Sequence, residues 1–189
     1  MNFLFNKEVS INAIMYILSK FGGMCDMHKI CKILYFADRM HLSRYSRSIT
    51  GDEYIRMQYG PVPSHVDDMF KAVRGDSFFS DTSEADVLKE YFSFYNRYTI
   101  QQKKQPDMDY LSETDIECLD ESIAQCKDMS FNELTEFSHG LAWQNTSPDR
   151  EIAVEDILRE AGDTEEYVEY VANKLRGENI PHFAYGITR

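Results

Sequence analysis

Apolar residues recur at helical intervals in two consecutive stretches near the start of the chain. Ile11, Ile14, Leu18 and Phe21 predict an amphipathic helix over residues 10–21, and Gly22-Gly23 supplies its stop. Asp26 is placed to cap a second helix, whose stripe is Met27, Ile30, Leu34, Ala37 and His41, flanked by Ile33, Phe36 and Met40. An apolar face that wide predicts burial between other elements, so this second helix is expected to be the central one. Thr50-Gly51-Asp52 reads as a turn. Residues 53–59 alternate as a strand with Ile55, Met57 and Tyr59 on one face, and Gly60-Pro61-Val62-Pro63 reads as a rigid corner. Ser64 and Asp67 then resemble a capping box for a helix carrying Val66, Met69, Phe70 and Val73, ending before Gly75.

Further along, residues 76–90 read as a loop with a turn of helix. Tyr91 to Gln102 reads as a hairpin with Asn96-Arg97 at its tip. Ser112 or Thr114 can cap a helix over 113–127, followed by one continuous helix from Phe131 to Gln144 with Leu134, Phe137, Ser138 and Leu141 inward. Val154 to Ala161 and Thr164 to Arg176 predict two more, and the last ten residues read as irregular. The expected fold is α+β and predominantly helical: a helical bundle around a central helix, with a small antiparallel sheet or hairpin. Residues 1–150 are expected to form one domain, with 151–189 a C-terminal helical extension packed on it.

Composition narrows the class. With 189 residues the chain buries enough surface to fold without disulfides or a metal. It has no apolar run long enough to span a membrane, and its opening residues lack the pattern of a signal peptide. The spacing of Cys25, Cys31, Cys118 and Cys126 fits reduced cytoplasmic thiols rather than a disulfide framework. The net charge of −12 is unevenly placed: residues 1–106 carry +2, residues 107–169 carry −16 and residues 170–189 carry +2. Such an acidic block repels a duplex phosphate backbone; it reads as a solvated helix face or as a docking surface for a basic partner.

Several constellations invite chemistry. Cys25, His28 and Cys31 lie on poorly matched helical faces with no second ligand pair, so no metal is expected. Asp38 and His41, three apart on the central helix, could pair as an acid and base, but no nucleophile or cofactor loop accompanies them. A buried polar network joining Asp38, His41, Tyr45 and Tyr59 is the reading preferred here. His139 and Trp143, four apart, read as a core histidine and an apolar anchor, or as a partner-binding hot spot. The basic residues Lys29, Lys32, Arg39, Arg44, Arg47 and Arg56 with interleaved tyrosines give nucleic-acid binding a minor claim, which the acidic whole opposes.

From Lys32 to Ser64 the chain follows a pattern of Lys32, Tyr35-Phe36-Ala37-Asp38, His41-Leu42, Tyr45, Arg47, Thr50-Gly51-Asp52, Tyr54 and Gly60-Pro61-Val62-Pro63-Ser64. A second block runs through Pro106-Asp107, Tyr110 to Asp115, Ser138-His139 and Trp143. Together these resemble the Panacea antitoxin domain, also described as SocA-like or GepA-like and phage-associated, over about residues 8–150. Ser46 stands where the pattern commonly has glycine. The resemblance implies a non-enzymatic, cytoplasmic protein, without cofactors, that neutralises an adjacently encoded protein toxin by direct contact in a toxin–antitoxin or phage-associated system. One branch of such proteins delivers its toxin to an AAA+ protease; a DNA-binding regulator is the remoter alternative. The candidate partner-binding or motif positions are Lys32, Tyr35, Asp38, His41, Tyr45, Gly51, Asp52, Tyr59, Gly60, Pro61, Val62, Pro63, His139 and Trp143.

Overall fold

The structure is a computed structural model that describes residues 5–76 and 83–177. It is a predominantly helical α+β fold with two small antiparallel sheets. The first helix, α1 (Lys7–Lys20), is capped by Asn6. It is more deeply set than its apolar spacing predicts, for every residue from Ser10 to Leu18 is buried. Its polar positions are satisfied locally: Asn12 donates to the Glu8 carbonyl and accepts from the Asp107 amide. After the left-handed Gly22 and Gly23 comes β1 (Met24–Asp26), a strand too short to leave a sequence pattern.

Asp26 caps the 19-residue α2 (Met27–Tyr45), whose residues Ile30 to Asp38 are all buried. This is the central helix: α1, the antiparallel pair of β2 (Tyr54–Met57) and β3 (Gly60–Pro63), and later helices all pack on it. Ser46 closes α2 in the left-handed conformation, φ 52°, a strained geometry for a residue with a Cβ.

The Gly60–Pro63 segment is a strand rather than a corner, and it changes which side chains face inward. Tyr54 is the buried residue of β2, whereas Met57 and Tyr59 are exposed and Ile55 is half-buried. The prolines tolerate the ladder because of register. Ser64 N donates to the Glu53 carbonyl, and pairing runs Tyr54 with Pro63 and Arg56 with Pro61. Alternation then places both prolines at sites whose nitrogens point away from the partner strand. A two-residue turn, Gln58-Tyr59, is therefore left protruding at the hairpin tip.

The helix that follows is α3 (Ser64–Arg74), ended by a left-handed Gly75. No capping box forms at Ser64. Asp52 caps from a distance instead, taking the His65 and Val66 amides at 2.9 Å each while its Oδ1 also meets His65 Nδ1 at 2.8 Å. Beyond it lies α4 (Ser83–Tyr91), longer than the single turn expected in 76–90; residues 77–82 of that stretch fall outside the described residues. The predicted hairpin is present as β4 (Phe92–Phe94) and β5 (Thr99–Gln102), with Asn96 accepting the Tyr98 and Thr99 amides at its tip. β5 also pairs with β1, giving sheet order β1-β5-β4.

Ser112 and Asp115 form a reciprocal capping box at α5 (Glu113–Cys126). The long helix expected next is two short ones, α6 (Phe131–Phe137) and α7 (Leu141–Asn145). Glu160 accounts for the break. Its carboxylate accepts the Ala142 amide at 2.8 Å, and a Cβ at Gly140 would lie within 2.9 Å of Oε1 and nearer still to Oε2. The break turns Leu134 and Ser138 inward but leaves Phe137 and Leu141 exposed, against the pattern. α8 (Val154–Ala161) and α9 (Glu165–Arg176) close the fold, ending on left-handed Gly162 and Gly177. They are tied to α2 through Glu160 with Arg39 and Tyr35, and through the Tyr167 hydroxyl donating to the Leu42 carbonyl. The ten C-terminal residues expected to be irregular lie outside the described residues.

Candidate functional site: an aromatic cleft at the hairpin tip

The motif residues separate into two groups with different surroundings. The first is an internal brace. Asp38 is buried on α2, and its carboxylate accepts the Ile49 amide (2.6 Å), the Thr50 amide (3.1 Å), the Thr50 hydroxyl (2.5 Å) and the Tyr54 hydroxyl (2.8 Å). Burial raises its pKa, while those same bonds hold the charged form in place. Thr50, Gly51 and Asp52 thus form a loop clamped at both ends, by Asp38 to α2 and by Asp52 to α3. Gly51 sits at φ 68°.

His41 serves a different seam. Its Nδ1 meets the Arg47 carbonyl at 2.8 Å, and its Nε2 meets Asp115 at 3.1 Å and the Thr114 hydroxyl at 3.0 Å. Arg47 reaches Asp115 as well, at 2.8 Å. Tyr45 lies over the His41 ring at 4.7 Å and donates to Glu117. The expected network of Asp38, His41, Tyr45 and Tyr59 is therefore not one network. Asp38 and His41 face opposite partners, and Tyr59 belongs to the hairpin tip, because successive turns of a long buried helix address different neighbours.

Asp115 makes this seam sensitive to acid. Burial alone would raise its pKa, but the hydrogen bonds from His41 and Ser112 and the nearby Arg47 charge hold it down to about 2. A carboxylate lowered on folding stabilises above its unfolded pKa and loses that contribution as pH falls through the folded value. From about pH 5 down to about 2, Asp115→Asn is expected to lose its deficit of roughly 2 kcal/mol relative to wild type. Parallel chemical unfolding of both proteins across that range checks it.

The second group lies where β2–β3, the start of α2 and α6 meet. Lys32, one turn along α2 from His28, is completely buried, and its Nζ donates to the Pro61 carbonyl at 2.8 Å. Gly60 crosses directly above at φ 97°; a Cβ there would come within 2.8 Å of Lys32 Cε and closer to Ser138 Oγ. Pro61, Val62 and Pro63 continue β3 along α2, with both prolines buried. His28 Nε2 lies 3.1 Å from the Tyr59 carbonyl, and its ring is 4.2 Å from Phe131, which in turn meets Tyr59 at 5.3 Å.

On the far side of the hairpin, Trp143 Nε1 donates to the Met57 carbonyl at 2.9 Å. The indole is sandwiched between His139, stacked at 3.7 Å, and the Arg56 guanidinium at 4.0 Å. Both readings of this pair are modified: Trp143 is half-buried and fastens the hairpin, and His139 Nε2 is a buried nitrogen with no hydrogen-bond partner among the described residues.

Met27, Met57, Tyr59, Val62, Tyr98 and Phe131 line a cleft of about 540 Å³ between hairpin and helices, with Asp26, His28 and Lys32 also on its wall. Tyr59 and Phe131 are 51% and 47% exposed, and their rings meet at the rim of this cleft. The apolar pattern carries no sign that Met57 and Phe131 are surface residues, or that Glu160 is the tie that breaks α6 from α7. The one sequence signal nearby is the Ser130–Glu133 spacing, a capping box that places Phe131 at the first position of a helix.

The model of the family described as antitoxin SocA-like, Panacea domain, matches residues 30–144. The chain belongs to that family. Comparison with curated proteins and with solved structures gives no match. The matched segment of the Panacea domain runs from early in α2 to Gln144 in α7, narrower than the resemblance over residues 8–150 suggested. It contains the brace, the hairpin and most of the aromatic cleft.

The basic residues on and beside α2 are each engaged within the chain. Lys29 donates to the Lys127 and Met129 carbonyls, Lys32 to Pro61, and Arg56 to the Thr146 carbonyl. Arg39 pairs with Glu160, Arg44 with Glu117 and Glu121, and Arg47 with Asp115. Four carboxylates of the acidic block, Asp115, Glu117, Glu121 and Glu160, therefore answer charges on and beside α2, so the block is not wholly a solvated face. No group of three or more candidate ligands for a metal ion occurs among the described residues, and no described helix is long and apolar enough to cross a membrane.

Proposed function

We propose that this chain neutralises a protein toxin by binding it directly, and that the cleft between the Gln58-Tyr59 tip and Phe131 is where the toxin docks. Membership of an antitoxin-like family supports a toxin as the partner. The observation that carries the location is the pair of exposed rings, Tyr59 and Phe131, in contact with one another across two elements of the family segment. Exposed aromatics on a rigid support lose little entropy on binding and dominate interface energies. The support is rigid because the hairpin is held by Trp143 on one side and by Lys32 on the other.

The mode of action is binding rather than catalysis: Asp38 and His41, the candidate acid–base pair, are each closed around structural donors and acceptors. The protein works in the cytoplasm with its four cysteines as buried thiols. Its net charge of −12 favours encounter with a basic toxin, with exposed Glu166 and Glu169 contributing long-range attraction. The α8 and α9 helices belong to the same folded unit as the family segment, through their contacts with α2.

Co-expression with the product of the adjacent reading frame tests this directly. Wild type is expected to restore growth and to co-purify with that product. Tyr59→Ser combined with Phe131→Ser is expected to keep the melting temperature within a few degrees. It should weaken the complex by at least about 2 kcal/mol, roughly thirtyfold. Undiminished binding by the double variant overturns the location. Rescue accompanied by disappearance of the toxin, rather than by a complex, shows delivery to an AAA+ protease instead.

A further inference from the structure

The two residues of the hairpin tip rest on imidazoles. His28 Nε2 lies 3.1 Å from the Tyr59 carbonyl and 3.3 Å from the Thr135 hydroxyl, so one ring joins α2, the tip and α6. His139 approaches the Gln58 backbone and stacks on the Trp143 indole, which donates to the Met57 carbonyl. The Lys32 ammonium, sealed beneath Gly60, places its charge near both rings. Three basic groups thus lie under one two-residue turn.

No carboxylate offsets them at close range. Neither ring pairs with an acidic side chain among the described residues, and His139 Nε2 has no hydrogen-bond partner there. On α2, Asp26 accepts the His28 amide rather than its ring, and Lys29 adds a further positive charge. From β2 comes the Arg56 guanidinium, on the opposite face of the indole. On the cleft wall, Asp67 and Arg74 of α3 are paired with Lys71 and Asp76. α6 brings the Glu136 carboxylate, exposed and a minor influence on His139.

The closed tip therefore disfavours a second charge. Burial, and after it the Lys32 charge, lowers the pKa of His28 to about 4; His139 is lowered by the same two causes in the same order. With the tip open, each ring returns towards its ordinary value of about 6.5 and binds its proton more readily. The closed form is thus fully favoured above about pH 6.5 and loses ground as pH falls towards 4. For His28 alone, the ratio of closed to open falls about twentyfold from pH 7 to pH 5. His139 acts in the same direction.

We infer that the Gln58-Tyr59 tip is an acid-opened latch: protonation of His28 and His139 releases the turn from α2 and α6 and takes apart the face built by Tyr59 and Phe131. The opening is a property of the chain alone, and its consequence for toxin binding rests on the docking site proposed above. It precedes the acid response of the Asp115 seam, which begins only below about pH 5.

Amide exchange of the free chain at pH 7 and pH 5 tests the latch, with protection factors removing the intrinsic effect of pH on exchange. The amides of Met57 to Gly60 in wild type are expected to lose about twentyfold or more in protection, while α5 keeps its own. His28→Gln with His139→Gln supplies side chains that still donate hydrogen bonds but do not titrate. Its tip is expected to be equally protected at both pH values. Titration of the ring signals by NMR needs no variant: His28 in the folded chain is expected to take up its proton far below its ordinary range. An ordinary His28 titration overturns the inference. So does tip protection that is unchanged in wild type, or that falls equally in the double variant.

The adjacently encoded toxin reads the consequence. The ratio of its Kd at pH 5 to that at pH 7 is expected to be roughly tenfold larger for wild type than for the double variant. Equal ratios, with a tip that opens in the free chain, overturn the effect on docking and the docking site with it. Capture of no toxin at either pH removes neutralisation by binding, and the exchange result then decides the latch by itself.

Discussion

Replacing Asp38 by alanine is expected to cost about 3–5 kcal/mol, the range for opening a buried charged hydrogen-bond network. Two backbone amides, Ile49 and Thr50, and two hydroxyls, Thr50 and Tyr54, converge on this one carboxylate. Without it the two amides have no acceptor and are shut away from water. Asp38→Asn separates the contributions. Its amide oxygen can replace Oδ1 for the two N–H donors, and its NH₂ group then faces hydroxyls that can turn to accept. Asparagine is therefore expected to cost less, about 1–2 kcal/mol. Urea unfolding of the three proteins gives this order; equal losses for alanine and asparagine would show that the carboxylate charge, not donor satisfaction, holds the loop. Since this loop leads into Tyr54 and the hairpin, Asp38→Ala is also expected to weaken toxin binding by disordering its support.

A comparable loss is expected from Gly60→Ala, about 3 kcal/mol or more, from two sources that add. Its φ of 97° is a region that residues with a Cβ rarely adopt, costing about 1–2 kcal/mol. The added methyl also meets the Ser138 hydroxyl and Lys32 Cε inside a filled space, and overpacking of that kind costs about 1–3 kcal/mol. For a chain of this size the melting temperature should fall by roughly 6–12 °C. Ser138→Gly in the same chain removes the nearer obstruction, so the double variant should recover part of the loss but not the backbone strain. If the double variant is no better than Gly60→Ala, close packing over Lys32 contributes nothing.

Much of the fold was legible because its signals are local. Asp26 and Ser112 cap the helices they precede, and Gly75 and Gly162 end the ones they follow. The central position of α2 followed from the width of its apolar face. What was not legible depends on partners far away in sequence. Glu160 reaches back to Ala142 and splits a stretch whose periodicity is otherwise continuous. Asp52 caps α3 from twelve residues before its first turn, so Ser64 and Asp67 were the nearer and mistaken candidates. β1 is three residues long and exists through its pairing with β5.

The candidate site divides along the same line. The Lys32-to-Ser64 motif was evident as a unit, but sequence spacing on one helix could not show that Asp38 and His41 serve different seams. Nor could alternation through 53–59 show which face of β2 is buried, because the strand is only four residues long and a third segment, around Ile152, also pairs with it. The exposed status of Tyr59 and Phe131 emerges only when hairpin and α6 are brought together.

The most direct test of the docking surface is amide hydrogen exchange of the chain alone and in complex with the adjacently encoded toxin. Binding at the aromatic cleft predicts added protection at the hairpin tip, residues 57–60, and in α6, residues 131–137, with the exposed face of α5 unchanged. Protection confined to α5 or α9, with the tip and α6 exchanging as in the free protein, would contradict it and place the toxin on the acidic helices instead.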